Sequence, residues 1–183
     1  MLNEPLIIRE RFSHMGNHSG YDMLFESVEN QINCIGLWKG QYEPKNKLVR
    51  NQLLKFYPEK NISPFYSKNN FWTEIEVLKA TLFSSNIIHV LYGENNFNLL
   101  GRLSLRNKIV VTFHQPIEWW IKTGIPLDKF FKNIDKIIVL SKREKEAFEI
   151  YAPGRVSFIP HGVDTAFFCN NNLLLISCQN NYR

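Results

Sequence analysis

Polar residues of this chain stand directly after short apolar runs, where a parallel sheet would present them at one edge. His114 and Gln115 follow the run Ile109–Phe113, and Glu94 follows the run Ile87–Tyr92. A neutral imidazole can hydrogen-bond a hydroxyl or help to stabilise charge on a departing group, and a carboxylate can accept bonds from hydroxyls. We therefore predict a catalytic role for His114 and substrate-binding roles for Glu94 and Gln115. The alternatives are a histidine bonded to nearby backbone and a carboxylate placed at a helix N-terminus by the helix dipole.

A glycine-containing turn follows the first predicted strand, Pro5–Phe12, whose apolar part is Leu6–Ile8, and precedes a segment with helical spacing from Tyr21 to Ile32. Gly16, Ser19 and Gly20 lie in this turn, where backbone amides can approach an anionic or hydroxylated ligand. Their spacing is not the G-x-G-x-x-G of a dinucleotide site. We predict that these three residues bind substrate. A plain tight turn with a capping side chain is the alternative.

The apolar runs predict strands, and the segments between them predict helices. This alternation is typical of an α/β domain with an open, Rossmann-like parallel sheet and helices on both faces. Ligands of such sheets bind beyond the carboxyl ends of the strands, so the polar residues should share one rim. The remaining predicted strands are Cys34–Trp38, Ile137–Leu140 and Val156–Ile159, and the predicted helices include 71–83, 97–105 and a short one within 48–57.

Other conspicuous side chains have structural interpretations. Phe71, Ile75, Leu78 and Leu82 recur at helical spacing, which predicts a core-facing stripe. His89 lies inside an apolar run and is predicted to be a core histidine with a satisfied hydrogen bond. The adjacent pair Trp119–Trp120 is predicted to pack in a loop, with stacking on a sugar or dipping into a membrane interface as alternatives.

The stretch Ile134–Phe168 contains a strand, a helix and a second strand in close succession. Ser141 and Glu144 form an S-x-x-E pattern, which predicts a capping box at the start of the helix. The stretch resembles the end of the N-terminal domain of family 4 glycosyltransferases, which are retaining enzymes of the GT-B fold. The resemblance rests on an ordered set of positions: Ser141, Glu144, Val156, Ile159, Pro160, Gly162, Val163, Asp164 and Phe168.

The resemblance extends to the candidate site. Val110–His114 resembles a family strand whose histidine points into the cleft between the two domains, and Gly93–Glu94 resembles the loop after another strand. Gly16, Ser19 and Gly20 lie where the family has a glycine-rich loop, although the usual adjacent glycine pair is missing. The resemblance implies a domain over residues 1–168, the acceptor-side half of a GT-B enzyme. It also implies a nucleotide-sugar co-substrate, with no cofactor and no metal.

Residues 169–183 are then a hinge remnant or the start of a missing C-terminal domain. The family's E-x7-E element and its basic donor clamp are not found in the sequence. We therefore expect the acceptor-binding half of a hexosyltransferase-type enzyme that acts on a glycan or a lipid-linked acceptor. On its own, the chain should show little or no turnover, and a separate donor-binding domain is an expected partner. The alternative is a non-catalytic module that binds a glycan or docks on a partner.

The composition indicates a cellular compartment and excludes one class of partner, but it does not identify the substrate. The formal net charge is +5, which permits attraction to anionic sugars or membrane headgroups. Three cysteines without metal-ligand spacing indicate a reducing compartment, so we expect a cytoplasmic protein, with peripheral membrane contact as an option. No nucleic-acid-binding motif is present, and we expect no nucleic-acid partner.

Overall fold

A computed structural model describes residues 4–10, 25–26, 29, 31–60, 62–82, 86–102 and 106–160. Its centre is one sheet of six parallel strands in the order β2-β1-β3-β4-β5-β6. The strands are β1 (Leu6–Arg9), β2 (Ile35–Trp38), β3 (Ile87–Val90), β4 (Lys108–Phe113), β5 (Lys136–Val139) and β6 (Val156–Phe158). The Rossmann-like parallel sheet predicted from the sequence is confirmed.

Short helices connect these strands. They are α1 (Lys47–Leu54), α2 (Lys68–Thr81), α3 (Gly93–Asn96), α4 (Leu99–Arg102), α5 (Ile117–Lys122), α6 (Leu127–Phe130) and α7 (Lys142–Glu149). Phe25 and Glu26 are also helical. In the part of the chain just delimited, no helix combines the length and the apolar character that crossing a membrane requires.

The strand order places a topological switch point between β1 and β3. The chain leaves β1 for β2 on one side of it and then returns to form β3 on the other side. Ile8 is consequently in register with both Leu37 of β2 and Val90 of β3. Connections that diverge in this way leave a crevice at the carboxyl ends of the two central strands, which is where open α/β sheets bind ligands.

Both faces of the sheet are covered. Ile8 belongs to the larger core cluster, whereas its neighbour Ile7 packs with Phe25 and Tyr92 on the opposite face. Aromatic rings fill the larger cluster around β4, where Phe113 lies 5.1 Å from Trp120 between ring centroids. The predicted arrangement of helices on both faces is therefore confirmed.

The predicted stripe on α2 is wrong at its C-terminal end. Phe71 is fully buried, but the side chain of Leu82 is 69% exposed. The inward surface of α2 includes polar side chains, among them Thr73 and Glu74. Glu74 faces inward because its carboxylate accepts bonds from the first backbone N–H groups of α4. Thr73 satisfies its hydroxyl within α2, by donating to the backbone carbonyl of Asn69.

The predicted helix 97–105 begins two residues later than expected. The structure has α4 from Leu99 to Arg102, preceded by the separate short helix α3, and residues 103–105 lie outside the described ones. The buried carboxylate of Glu74 accepts bonds from the backbone N–H groups of Asn98, Leu99 and Leu100, at 2.8, 2.9 and 3.0 Å. A distant side chain thus starts α4 by satisfying its first-turn amides.

Further boundaries differ from the predictions. The first strand ends at Arg9 rather than continuing to Phe12, and Ile32 lies in a bend rather than a helix.

Trp119 and Trp120 belong to α5, so the predicted loop is wrong, although Trp120 is fully buried in the core as a packing residue. The short helix expected within 48–57 exists as α1, and the side chain of Asn46 accepts bonds from its first amides.

Candidate functional site

Polar side chains that follow four neighbouring strands lie at one rim of the sheet and form two hydrogen-bonded groups. They follow β1, β2, β3 and β4, on both sides of the switch point. We call this group the strand-end cluster, and its members are Glu10, Lys39, Glu94, Asn95, Asn96 and His114.

Glu10 is the centre of one half of the cluster. Its carboxylate accepts hydrogen bonds from the side-chain amides of Asn95 at 2.9 Å and Asn96 at 2.8 Å, and it pairs with the ammonium of Lys39. The side chain of Glu10 is 5% exposed and that of Lys39 is 25% exposed. All three partners are donors, which a carboxylate can satisfy because it only accepts. The loops after β1, β2 and β3 are therefore tied together by one buried charge.

The network continues into the start of α2. The side-chain oxygen of Asn96 accepts a bond from the amide of Asn70 at 2.7 Å, and Asn70 in turn accepts from the backbone N–H of Ser67, the N-cap of α2. Asn70 and Asn96 are both fully buried. Buried amides with satisfied partners have defined orientations, so this chain of bonds holds the strand-end cluster against the start of α2.

Glu94 and His114 form the other half of the cluster. The Nδ1 atom of the imidazole lies 3.1 Å from the Glu94 carboxylate, which also accepts a bond from the backbone N–H of His114 at 3.3 Å. We assign the proton to Nδ1, because the carboxylate can only accept. The imidazole also lies against the ring of Tyr92, with 4.5 Å between centroids. These contacts fix the orientation of the imidazole, and in the neutral ring Nε2 is the acceptor atom.

Gly93 allows Glu94 to reach this position. A Cβ atom at Gly93 would lie 2.5 Å from side-chain atoms of both Phe113 and Val111, which is too close for any side chain. Glycine therefore permits α3 to begin directly against β4. Since Glu94 is the next residue, the same close approach brings its carboxylate to the end of β4.

The sequence-predicted site residues have different outcomes. Glu94 and His114 are brought together. Gln115 lies beside them, half-buried, and makes no hydrogen bond with any other described residue. Gly16, Ser19 and Gly20 lie outside the described residues, as do 161–183, which include the predicted hinge.

The predicted capping box of Ser141 and Glu144 is only half right. The hydroxyl of Ser141 accepts a bond from the backbone N–H of Glu144 at 3.1 Å, as an N-cap does. The carboxylate of Glu144 does not return to Ser141. It accepts a bond from the backbone N–H of Ile117 at 2.9 Å, and so satisfies the first turn of α5. Both residues are therefore structural.

Four members of the strand-end cluster were not predicted from the sequence: Glu10, Lys39, Asn95 and Asn96. Glu10 was hidden because the first strand was predicted to continue to Phe12, which put this residue inside a strand rather than at its end. Asn95 and Asn96 lie in α3, the short helix that comes after β3. A cluster of amides at a strand end is a signal that could have found them.

His89 is a structural residue, as predicted. Its Nε2 atom lies 3.0 Å from the hydroxyl of Thr112 on the neighbouring strand. Burial lowers the pKa of His89 to about 4, because the charged imidazolium would lose its hydration. The ring is therefore neutral near pH 7, and it is not a member of the strand-end cluster.

The chemistry that the cluster can perform is recognition by hydrogen bonds. Within the described ranges, no three His, Cys, Asp or Glu side chains come together as metal ligands. The cluster contains one cation, Lys39, and its charge is already balanced by Glu10. The Nε2 atom of His114 is shielded from solvent, so a ligand reaches it only when the atoms that cover it are displaced.

Comparison with protein-family models identifies one match. The model described as Glycosyltransferase Family 4 matches residues 43–167, which is more than half of the chain. Glu94 and His114 lie inside the matched range, whereas Glu10 and Lys39 precede it. A comparison with curated proteins found no match.

Proposed function

The chain belongs to glycosyltransferase family 4, and we propose that its strand-end cluster binds the acceptor of a sugar-transfer reaction. The observation that carries this proposal is the bond between His114 and Glu94 at the rim, beside the switch point of the sheet. A histidine whose Nδ1 is held by a buried carboxylate has a fixed tautomer and a fixed ring plane. Those are the properties needed to orient one hydroxyl group.

Once the atoms that cover Nε2 are displaced, His114 would accept a hydrogen bond from an acceptor hydroxyl through this atom. The same hydroxyl is the group that attacks the donor sugar, so its orientation contributes directly to the rate. A hexose-type sugar is the expected group transferred. Glu94 holds the ring, and Gln115, next in the chain, provides an amide that can bond a second hydroxyl.

The nucleotide-sugar donor would be bound mainly by a second domain that faces this rim. A diphosphate needs cationic or backbone N–H partners. Among the described residues of the cluster, the cation is Lys39, and it is engaged by Glu10. We expect, on this ground, that the 183-residue chain alone transfers sugar at a small fraction of the rate of a two-domain enzyme.

A lipid-linked acceptor is favoured over a soluble one by the surface around α1. The side chains of Leu48 and Phe56 are 73% and 67% exposed, and Val49, next to Leu48 in the chain, is also exposed. Lys47 and Lys55 flank these apolar groups. Exposed apolar side chains among lysines are typical of segments that lie in the interface of an anionic membrane. An enzyme docked in this way would meet acceptors held in the bilayer.

Vesicle sedimentation tests the membrane contact. The chain should sediment with vesicles that contain phosphatidylglycerol and should remain in solution with pure phosphatidylcholine. The double variant Leu48→Ser, Phe56→Ser should lose the binding, because it removes the apolar contact and leaves the charge unchanged. Equal sedimentation of the variant and the unaltered chain would refute the assignment of this surface.

A glycan array, followed by affinity measurements, tests the proposed site. The variant His114→Asn offers an amide in place of Nδ1–H and removes Nε2. We expect it to weaken binding of the best glycan about tenfold, in line with the loss of one or two hydrogen bonds. The control Lys122→Ala changes an exposed residue of α5 and should leave the affinity unchanged.

Kinetic measurements on a complete two-domain enzyme, added to the array, separate the two candidate functions. Binding of a glycan with the affinity loss in His114→Asn supports the acceptor site in either case. A catalytic role requires, in addition, that a complete two-domain enzyme carrying His114→Asn loses kcat. If kcat is unchanged while the glycan KM rises, the site is a glycan-binding module without a catalytic histidine.

A further inference from the structure

A cationic cavity lies at the edge of the sheet opposite to the strand-end cluster. Its lining includes the residues immediately before β4, β5 and β6, which are Asn107, Asp135 and Arg155. The volume is about 370 Å³, within the usual range of roughly 300–1,000 Å³ for small-molecule sites. The members of the strand-end cluster follow strands, whereas these residues precede them, and the two sites share no residue.

Positive charge predominates in this cavity. Its lining has one carboxylate, Asp135, and four cationic side chains: Arg106, Lys108, Lys132 and Arg155. Asp135 pairs with the ammonium of Lys108 at 2.8 Å and accepts a further bond from a backbone N–H group. Apart from this pair, three cations remain in the lining, to which the described residues contribute no second carboxylate.

Two of these cations form no ion pair with a described residue. The side chain of Lys132 is exposed and makes no hydrogen bond within the described ranges. The guanidinium of Arg155 donates through Nη1 to three backbone carbonyls, those of Phe131, Lys132 and Ile134, at 2.8, 3.3 and 2.7 Å. These carbonyls hold the guanidinium in place but carry no net charge. Its positive charge and its Nε and Nη2 donors are therefore available to an anion.

Asn107 adds a hydrogen-bond donor with a fixed orientation. The residue is 6% exposed, and its Oδ1 atom accepts a bond from the backbone N–H of Asn86 at 2.8 Å. A backbone N–H can only donate, so this contact identifies the oxygen of the amide and leaves Nδ2 as its donor end. Nδ2 makes no bond with a described residue and, unlike Nε2 of His114, it is not sealed from solvent. Because Asn107 lines the cavity, Nδ2 is the side-chain atom that it can offer to a ligand.

These groups suit a compact anion. Ile134 is the apolar residue of the described lining and it is buried, so the cavity offers little surface to an apolar or aromatic ligand. Guanidinium and ammonium groups bind phosphate oxygens through charge-assisted hydrogen bonds. Several cations around one cavity of this size favour adjacent phosphate groups over a singly charged anion.

We infer that this cavity binds a compact anion with two adjacent phosphate groups, of which inorganic diphosphate is the simplest. Lys132 and Arg155 contact the phosphate oxygens, and Asn107 donates one further bond through Nδ2. The inference goes beyond the proposed acceptor site and does not depend on it, because the cavity lies at the other edge of the sheet. A phosphate bound there is away from the rim where sugar transfer is proposed to occur.

NMR titration of the isotope-labelled chain with sodium diphosphate, in a buffer free of divalent metals, is the test. We expect saturable shifts with one common Kd for the side-chain amide of Asn107, the Nε–H of Arg155 and the backbone amide of Lys132. The Kd should rise with ionic strength, because salt screens the attraction between exposed charges. Methyl α-D-glucopyranoside is the neutral comparison and should not shift these signals.

Two variants locate the anion. Lys132→Glu should raise the Kd about tenfold, because a carboxylate that repels the ligand replaces a cation that attracts it. Lys129→Glu is the matched control, since it changes the net charge equally at an exposed lysine that does not line the cavity, and it should raise the Kd less than about twofold. Asn107→Asp keeps the shape and the acceptor for Asn86 but replaces Nδ2 by a charged oxygen, so the Kd should rise at least about tenfold.

Vesicles with phosphatidic acid distinguish a lipid phosphate from a soluble one, in the variant Leu48→Ser, Phe56→Ser, which lacks the apolar contact of α1. If these vesicles bind this variant and diphosphate displaces them, the cavity accepts a lipid phosphate. If diphosphate binds and the vesicles do not, the ligand is soluble, and either result supports the cavity.

Three results would overturn the inference. One is the absence of saturable binding up to about 10 mM diphosphate, which would leave no useful affinity. Another is an equal Kd for Lys132→Glu and Lys129→Glu, which would indicate general attraction to a basic surface. The third is a set of shifts confined to the strand-end cluster, which would place the diphosphate at the proposed transfer site instead.

Discussion

Replacement of Glu10 offers a quantitative test of the strand-end cluster. The carboxylate bonds three donors, and the environments of these donors set the size of the effect. The amides of Asn95 and Asn96 are buried and bond the same oxygen, whereas the ammonium of Lys39 is partly exposed and can be rehydrated. Loss of the acceptor should therefore lower the free energy of unfolding mainly because the two asparagine amides are left without a partner.

Two variants of Glu10 should give a graded loss of the free energy of unfolding. In Glu10→Gln, one oxygen remains for both asparagine amides, but the new NH2 group faces the lysine. We expect the free energy of unfolding to fall by about 1–2 kcal/mol, because the new NH2 group and the Lys39 ammonium are both donors and repel each other. Of the three partners, only Lys39 can avoid this loss by turning into water. In Glu10→Ala, both asparagine amides lose their acceptor, and we expect a loss of about 3 kcal/mol.

Urea unfolding at constant pH is the assay, with Glu43→Gln as the matched control. Glu43 pairs with Arg50 at 3.2 Å on the exposed surface, so the same substitution there should change the free energy by at most about 0.5 kcal/mol. The slope of the unfolding free energy against urea must stay constant for the comparison to hold. If Glu10→Gln and Glu43→Gln have the same stability, the reasoning on the buried network is refuted.

Two further predictions concern buried titratable groups. Glu74→Ala should lower the free energy of unfolding by about 3–5 kcal/mol, because three backbone N–H groups at the start of α4 lose their acceptor; a loss as small as that of Glu76→Ala, on the same helix, would contradict this. His89 has an unfolded pKa near 6.5 and a folded pKa of about 4, so its contribution to stability is present above pH 6.5 and is lost as pH falls toward 4. The full shift corresponds to roughly 3 kcal/mol. The free energy of unfolding should therefore change less between pH 7 and pH 4.5 for His89→Leu than for the unaltered chain. An equal change in both proteins would contradict the lowered pKa of His89.

The sheet could be predicted from the sequence because its strands are short, continuous apolar runs. Ile109–Phe113 and Ile137–Leu140 predict buried strands without any tertiary information, since parallel strands are covered on both faces. The pairing of Glu94 with His114 was also foreseeable in outline, because both residues follow neighbouring strands. The sequence therefore predicted the rim and two of its principal side chains.

The remaining features depend on contacts between distant residues. Helix α4 begins where it does because Glu74 bonds Asn98, and these residues are 24 positions apart. Glu10 becomes a rim residue only because pairing of the first strand ends at Arg9. The partner of Glu144 is Ile117, 27 positions away, and local capping patterns cannot show such a contact.

The most direct test of the proposed acceptor site is to locate a bound glycan by NMR. The strongest ligand from the array would be titrated into the isotope-labelled chain while the amides at the rim are followed. We expect saturable shifts, with one common Kd, for the side-chain amides of Asn95 and Asn96 and for the backbone amide of His114. Saturable shifts confined to residues away from the rim would contradict the account.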